Sequence, residues 1–427
     1  MVEPLLPPLE PEVPQEGLQG EEENDEQGKG KGGEPQSPSP RPVVVGDEEC
    51  REGRDDRKDP EEDPGQCGFA ILHGSTLPVS NQVREEAMLT GPTTLTQQLG
   101  IEIPIICGAM YPCSNPELVA AASEAGGIGV IQPLSFEFVH GYTLREGFDR
   151  ISELTSKPVG LNVVVERSLQ KYQERMERYV DASLEWGIRF FVTSLGNPAW
   201  VVEKVHAVGG MVYHDVTERR WALKALDGGV DGLIAVNNRA GGHAGAKSAK
   251  ELFAELADLG LPLVCAGGVG DEAAFVEALT LGYAAVQMGT RFIVTTECSA
   301  SEDYKAAIIR AGEEDIILTE RMTGVPVAVI RTPYIERSGT KAGPLARWML
   351  RGRRTKHWMR MIYSLSSFWK LRRSSYRSFS YRDYLQAGKS AEGVEQVEPV
   401  AEIMKRFVAA AGEGRVVVDD ALEETSS

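Results

Sequence analysis

The segment "LPLVCAGGVGDEAAFVEALTLGYAAVQMGTRF", residues 261–292, contains two short apolar runs separated by a stretch of helical periodicity. The runs "LPLVCAGG" (261–268) and "AAVQMGTRF" (284–292) are short, mostly apolar and interrupted by glycine, which is typical of buried strands. "DEAAFVEALTLG" between them has apolar residues at helical spacing and a helix-ending glycine. The segment therefore predicts a strand, a crossover helix and a second strand parallel to the first.

Six more runs of this kind precede the segment, and stretches of helical periodicity lie between them. They are "PIICGAM" (104–110), "GIGVIQP" (127–133), "PVGLNVVV" (158–165), "IRFFVTSLG" (188–196), "GMVYHDV" (210–216) and "DGLIAVNN" (231–238). Eight alternating units favour an α/β fold in which parallel strands close into a (β/α)8 TIM barrel. A doubly wound open sheet is the alternative.

Two compositionally unusual segments flank these units. Residues 1–64 carry 20 acidic and seven basic side chains and 11 of the 24 prolines, without periodicity, so we expect a disordered acidic tail over 1–90. A solvated tail, a translated start that precedes a true initiator at Met88, and an acidic docking arm are the open interpretations. Residues 346–382 carry 11 Lys/Arg, eight aromatic residues and no acid. We expect them to form a helical cap over the barrel mouth, with a weak contact to an anionic membrane or an acyl carrier as the alternative.

The expected organisation is a tail (1–90), a barrel (91–330) and a C-terminal cap with a closing helix (331–427). "RMTGVPVAVIRTPYIERSGTKAGP" (321–344) is expected to be extended and rich in loops. The six cysteines show no CxxC pair or zinc-like spacing, no apolar run reaches 18 residues, and neither a secretory nor an organelle signal is recognised. These features predict a cytoplasmic protein without a metal site, and the absence of a DNA- or RNA-reading motif predicts no nucleic-acid partner.

In a barrel of this kind the reactive groups lie at the C-terminal ends of the strands, and phosphate is commonly held after strands seven and eight. Gly267 and Gly268 follow the seventh predicted strand, and Gly289 and Thr290 follow the eighth. Bare backbone amides at two adjacent strand ends form a favourable cradle for a phosphate group. Other strand ends offer Asn162, an amide inside an apolar run, and the pairs Thr193–Ser194 and His214–Asp215.

The sixth strand ends in "NNRAGGHAG" (237–245), which places His243 among residues with almost no side chain. The small residues leave space for a large planar ligand. A histidine in this position is suited to proton transfer or to hydrogen bonding with a developing anion. We therefore expect His243 to contact a ligand rather than to be structural.

The order of "PIICGAM…NPELVAAASEAGGIGVI", "GLNVVV", "AGGHAG", "AGGVGD" and "VQMGTRFIVTTECSAS" resembles the FMN-dependent nitronate monooxygenases. The resemblance covers about residues 94–311, and "AGKSAEGVEQVEPVAEIMKRFV" (387–407) is similar to the closing segment of that family. The resemblance implies a flavoprotein that converts an alkyl nitronate and dioxygen to a carbonyl compound and nitrite. It also implies FMN as the cofactor, with His243 acting on the nitro group or the α-proton of the substrate.

By position, the resemblance assigns further residues to the cofactor. Gly108, Ala109 and Met110 would face the isoalloxazine ring, and Asn162 would bond the ring edge. Gly241 and Gly242 would lie beside the ring. The ribityl phosphate would be held by Gly267, Gly268, Gln287, Met288, Gly289 and Thr290.

The chain departs from the family at two places. Asn237, Asn238 and Arg239 stand where many members have an acidic residue, which would change the charge beside the flavin, and Asp215 stands where some relatives use lysine. The first alternative is an FMN-dependent NAD(P)H reductase, similar to enoyl-acyl-carrier-protein or quinone reductases. The others are a non-redox barrel enzyme that handles phosphate, such as an isomerase or aldolase, and a scaffold that docks to a membrane or a partner through residues 346–382. The oligomeric state stays open.

Overall fold

The computed structural model describes residues 93–165, 170–322, 325–341 and 384–425, and eight parallel strands within them form a closed barrel. The strands are β1 (Ile105–Cys107), β2 (Ile128–Ile131), β3 (Val159–Val164), β4 (Phe190–Ser194), β5 (Met211–Val216), β6 (Gly232–Val236), β7 (Leu263–Ala266) and β8 (Ala285–Met288). All eight predicted strands are confirmed. Because β1 pairs with β8, the sheet is a TIM barrel and not a doubly wound open sheet.

Helices cover the barrel and extend the chain beyond it. They are α1 (Thr94–Leu99), α2 (Pro116–Glu124), α3 (Pro133–Ser135), α4 (Leu144–Leu154), α5 (Gln170–Trp186), α6 (Ala199–His206), α7 (Arg219–Asp227), α8 (Ala249–Leu256), α9 (Glu272–Thr280), α10 (Thr290–Ile293), α11 (Glu302–Arg310), α12 (Pro333–Ser338) and α13 (Val400–Thr425). Local sequence determines several of their starts. Ser248 and Glu251 form a reciprocal capping box at α8, for example, which satisfies backbone N–H groups that the helix leaves unpaired. The described helices include no candidate membrane span.

The core has two layers, one inside the barrel and one between the barrel and the helices. Helix α1 packs its leucines against the interior cluster, and the Tyr213 hydroxyl donates a hydrogen bond to Gln98 Oε1 at 2.8 Å. This contact closes the N-terminal end of the barrel. The opposite end, where the strands terminate, is the mouth at which ligands bind in this fold.

The strand register arranges the inward-facing side chains in layers of four. The odd-numbered strands contribute one layer close to the mouth, which consists of Gly108, Asn162, Asp215 and Ala266. The next layer, one step further from the mouth, comes from the even-numbered strands and consists of Val130, Val192, Ile234 and Gln287. The polar side chains at positions 162, 215 and 287 therefore lie at the mouth of an otherwise apolar interior.

The C-terminal region adds a two-stranded antiparallel sheet, β9 (Ile316–Thr319) with β10 (Val327–Ile330), and α13 packs against α2 and α9. The chain over 321–344 was expected to be extended and rich in loops; β10 is extended, whereas the helix α12 was not expected. Residues 327–330 pair with β9, and Thr332 caps α12 by accepting a hydrogen bond from the Ile335 amide at 3.3 Å. The expected tail (1–90), the Met88 start and the basic aromatic segment 346–382 lie outside the described residues.

Candidate functional site

The end of β1 and the end of β8 come together at one side of the mouth. The Gly108 amide donates to the Met288 carbonyl at 3.0 Å, and a Cβ placed on Gly108 would lie 3.0 Å from Gln287 Cγ. A Cβ on Gly289 would lie 3.3 Å from Met110 Sδ. The residues predicted at the end of strand one, Gly108 to Met110, therefore lie next to those predicted at the end of strand eight, Gln287 to Gly289. The side chain of Met288 instead packs in the layer between barrel and helices, so only its backbone lies on the mouth side.

Polar atoms at this mouth lack protein partners. Gln287 Oε1 and Asp215 Oδ1 are buried and accept no hydrogen bond from any described residue. Asn162 is only 8% exposed, and its side-chain amide bonds no other described residue. Buried polar groups normally find partners, so these three side chains indicate a site that receives a polar ligand.

The loop after β6 is organised by Asn237, which is fully buried. Its Nδ2 donates to the Gly267 carbonyl at 2.8 Å, and its Oδ1 accepts from the Arg239 amide at 2.8 Å. The Asn237 carbonyl also accepts hydrogen bonds from the amides of Ala240 and Gly245. The departure from the family at this position therefore has a structural role, because one amide side chain joins the β6 loop to the end of β7.

His243 lies at the tip of this loop. Gly242 adopts the left-handed conformation at φ 66°, and its carbonyl accepts from the Ala328 amide of β10 at 2.8 Å. Residue His243 is exposed at the surface, and desolvation by the surrounding protein lowers the pKa of its imidazole below the ordinary value of 6.5. The lowered pKa makes neutral imidazole the main form at neutral pH.

The end of β7 lies against the same loop. Gly267 has φ 112°, and Gly268, at φ 85°, packs under the side chain of Arg239. The Arg239 guanidinium donates to Glu313 at 2.6 Å, and Lys389 Nζ donates to the other oxygen of Glu313 at 3.0 Å. The basic charge that was expected to alter this site is therefore paired with a carboxylate, and that carboxylate holds the loop to the C-terminal segment.

The segment after residue 384 completes the mouth. The Gly388 amide donates to Thr290 Oγ1 at 2.9 Å, and the Lys389 amide donates to the Arg239 carbonyl at 2.9 Å. Arg291, only 2% exposed, donates to Glu398, which is also bonded by Arg406. Because Gly388 and Thr290 are 98 residues apart in the chain, and Arg291 and Glu398 are 107 apart, local sequence patterns could not reveal these contacts.

Replacing Gly388 with alanine is expected to separate the C-terminal segment from the histidine loop. A Cβ at this position would lie 2.6 Å from the Gly241 nitrogen and 2.8 Å from the Arg239 oxygen, both of which are backbone atoms. We expect a loss of about 1–3 kcal/mol in the free energy of unfolding, measured by urea denaturation, because overpacking against backbone cannot relax easily. Gly412→Ala, on α13, is the control because its Cβ would meet nothing within 4 Å, and equal stabilities of the two variants would contradict the contact.

Sequence reasoning missed Leu195, which follows β4 at the mouth. It is 60% exposed and adopts φ 60°, a left-handed conformation that is rare for leucine. Strained residues are concentrated at functional sites, and an exposed leucine offers an apolar contact. Of the predicted pairs Thr193–Ser194 and His214–Asp215, the members Thr193 and His214 face outward from the barrel, since the neighbouring Val192 and Tyr213 lie in its interior. The side chains of Thr193 and His214 bond each other at 2.8 Å, and burial lowers the pKa of His214 to about 4.

Known proteins resemble this chain over most of the described region. A dehydrogenase from Rhodococcus jostii (strain RHA1), named (3aS,4S,5R,7aS)-5-hydroxy-7a-methyl-1-oxo-octahydro-1H-indene-4-carboxyl-CoA dehydrogenase, is 27% identical over 61% of this chain and 72% of its own length. A probable nitronate monooxygenase from Staphylococcus saprophyticus is 28% identical over 57% of this chain and 80% of its own length.

Among solved structures, FabK from Thermotoga maritima has a TM-score of 0.63 and 26% identity, and the match covers 77% of this chain and 99% of FabK. The sequence profile of the family "Nitronate monooxygenase" matches residues 92–409, which include all eight barrel strands, the histidine loop and the start of α13. The chain therefore belongs to the nitronate monooxygenase family and is a flavin-dependent oxidoreductase.

Proposed function

We propose that the protein binds FMN at the barrel mouth and oxidises an alkyl nitronate with dioxygen to a carbonyl compound and nitrite. The observation that carries the proposal is the position of His243, a neutral imidazole on a loop that Asn237 joins to a mouth with unpaired polar atoms. We assign cofactor binding to the barrel, residues 91–330, and closure of the site to residues 331–427. Bound FMN would supply the electron-transfer and oxygen chemistry that side chains cannot provide.

The described residues fit a flavin. The edge of an isoalloxazine ring carries carbonyl and nitrogen acceptors and an N–H donor, so it could pair with the side-chain amide of Asn162 and with the unpaired Oε1 of Gln287. Gly108 and Ala266 are the small members of the layer that contains Asn162, which leaves room for a flat ring. The backbone at Gly267, Gly268 and Gly289 carries no side chain that would obstruct a phosphate.

His243 would act on the substrate rather than on the flavin. Its lowered pKa makes it a neutral imidazole, which can donate a hydrogen bond from one ring nitrogen and accept a proton at the other. Toward a nitronate, which has already lost its α-proton, the donor role is the useful one. Toward a neutral nitroalkane, the imidazole would have to accept the α-proton.

The test is an oxygen-uptake assay in which nitrite is measured in parallel. We expect the FMN-reconstituted protein to consume oxygen and release nitrite when an alkyl nitronate is added, and to oxidise NADH slowly without it. Rapid oxidation of NADH or NADPH without nitrite release would reject the nitronate assignment and favour the reductase.

A second candidate is oxidation of a coenzyme A thioester, in which the bound flavin would take the electrons. The Rhodococcus relative is named as a carboxyl-CoA dehydrogenase, and exposed Leu195 offers an apolar contact at the mouth that a small nitronate would not need. Anaerobic mixing with a bicyclic or long-chain acyl-CoA would bleach the flavin under this candidate. Under the nitronate proposal the flavin absorbance would not change.

A further inference from the structure

Asp215 is an acidic side chain directed into the barrel. Along β5, Met211 and Tyr213 belong to the interior cluster, and Asp215 continues the same alternation. Its register partner on β6 is Ile234, which also lies in the interior. Since paired residues of parallel strands face the same side of a sheet, the Asp215 carboxyl faces the inside of the barrel.

The groups around this carboxyl are uncharged. The inward positions of β4 are Val192 and Ser194, and those of β6 above Gly232 are Ile234 and Val236. Lys204 and His206 on α6, and Arg219, Arg220 and Lys224 on α7, belong to helices outside the barrel, beyond the outer face of β5. Oδ1 of Asp215 is buried without a partner among the described residues, and burial raises the pKa of the carboxyl from 3.8 to about 7.

Asp215 lies at the level of the mouth where a ligand that contacts Asn162 would be bound. It shares its layer with Gly108, Asn162 and Ala266, two small residues and one unpaired amide. The two polar members come from strands that are separated only by β4. A planar ligand that reaches Asn162 at this level would therefore also pass the carboxyl of Asp215.

We propose that Asp215, as the neutral carboxylic acid, donates a hydrogen bond to an acceptor on the ring of the bound flavin, so that cofactor binding keeps a proton on this residue. The inference rests on the proposed binding of FMN at the mouth. The ring edge consists mainly of acceptors, which favour a donor and disfavour a carboxylate. No proton passes to the flavin, because the O–H bond of the acid stays intact, and where the free carboxyl is ionised, binding takes up one proton from the solvent.

Linkage determines the sign of the pH dependence. If the complex retains the proton, the pKa of Asp215 is higher with flavin than without it, and flavin binding weakens as pH rises above about 7. Other groups titrate at lower pH. His243 has a pKa below 6.5, and a phosphate monoester loses its second proton near pH 6, at about the lower edge of this window.

The experiment measures the dissociation constants of FMN and riboflavin by fluorescence quenching between about pH 6.5 and pH 8.5. For the wild-type protein we expect both to rise by about tenfold or more over this range. Riboflavin lacks the phosphate, so an equal rise for both ligands attributes the effect to the ring. Asp215→Asn keeps an N–H donor but cannot ionise, and it should bind both flavins with a nearly constant dissociation constant. Asp227→Asn, an exposed carboxylate at the end of α7, should behave like the wild type.

The outcomes separate this inference from the proposed function. A dissociation constant that does not change with pH in the wild type, or a pH dependence that survives in Asp215→Asn, overturns the role of Asp215 while FMN binding stands. A rise for FMN alone assigns the effect to the phosphate and overturns it as well. Failure of both flavins to bind at any pH rejects the cofactor assignment and the inference together. If Asp215→Asn does not fold, Asp215→Ser serves as the non-ionising variant.

Discussion

The His243→Asn variant is expected to retain FMN and to lose about 100-fold or more of its turnover with a neutral nitroalkane, because a general acid–base group contributes on this scale. Asparagine occupies less space on a loop whose neighbours are small, so the backbone around Gly242 can stay in place. It can still donate a hydrogen bond, but it cannot accept a proton as imidazole does. The FMN dissociation constant should therefore change little, while the turnover number falls.

The control is His206→Asn, which changes an exposed histidine at the end of α6 that bonds Asp231 at 2.9 Å. We expect wild-type turnover from this variant. Steady-state oxygen uptake measures the effect, and the pH profile distinguishes the two roles of His243. With a neutral nitroalkane the rate should rise with pH through a midpoint below pH 6.5, because desolvation lowers the pKa of His243. Undiminished turnover in His243→Asn would remove this residue from the mechanism.

The second large effect is expected from Gly267→Ala. Residue 267 has φ 112°, and a Cβ there would lie 2.5 Å from both the Ala240 nitrogen and Asn237 Oδ1. The substitution would strain the backbone and would push the histidine loop away from the end of β7. We expect the free energy of unfolding to fall by about 3 kcal/mol or more and FMN affinity to fall by about 100-fold, from combined left-handed strain and overpacking.

Gly260→Ala is the matched control. It also has a left-handed φ, 73°, but a Cβ there would meet nothing within 4 Å. It should show only the conformational cost of about 1–2 kcal/mol and bind FMN normally. Urea denaturation and FMN titration measure both quantities. If the two alanine variants behaved alike, the contact between Gly267 and the histidine loop would not matter.

The barrel could be predicted from sequence because each strand carries its own apolar run and each crossover its own helical pattern. The run "GLNVVV" is an example. It was predicted to be a strand although it contains the polar Asn162, and β3 covers Val159–Val164. Local patterns do not specify the closure, which depends on the pairing of Ile106 with Gln287 between the ends of the barrel sequence.

Site residues could be predicted where the local sequence pattern is unusual. They could not be predicted where the contact joins segments that are far apart in the chain. His243 stands out in sequence because its neighbours are small, and its loop lies at the mouth as expected. The contact of Gly388 with Thr290 joins segments 98 residues apart. Leu195 gave no signal because leucine ordinarily avoids the left-handed region that it occupies here. The layer shared by Asn162 and Asp215 emerges only when the strand register is known.

The most direct test of the account is the visible absorption spectrum of the protein after it is mixed with FMN and passed through a desalting column. An FMN site in the mouth predicts a yellow protein with one FMN per chain, and a spectrum shifted from that of free FMN because the ring is enclosed. It also predicts that Gly267→Ala emerges nearly colourless. A wild-type protein that emerges colourless, or that retains FAD but not FMN, would contradict the assignment of an FMN site to this barrel.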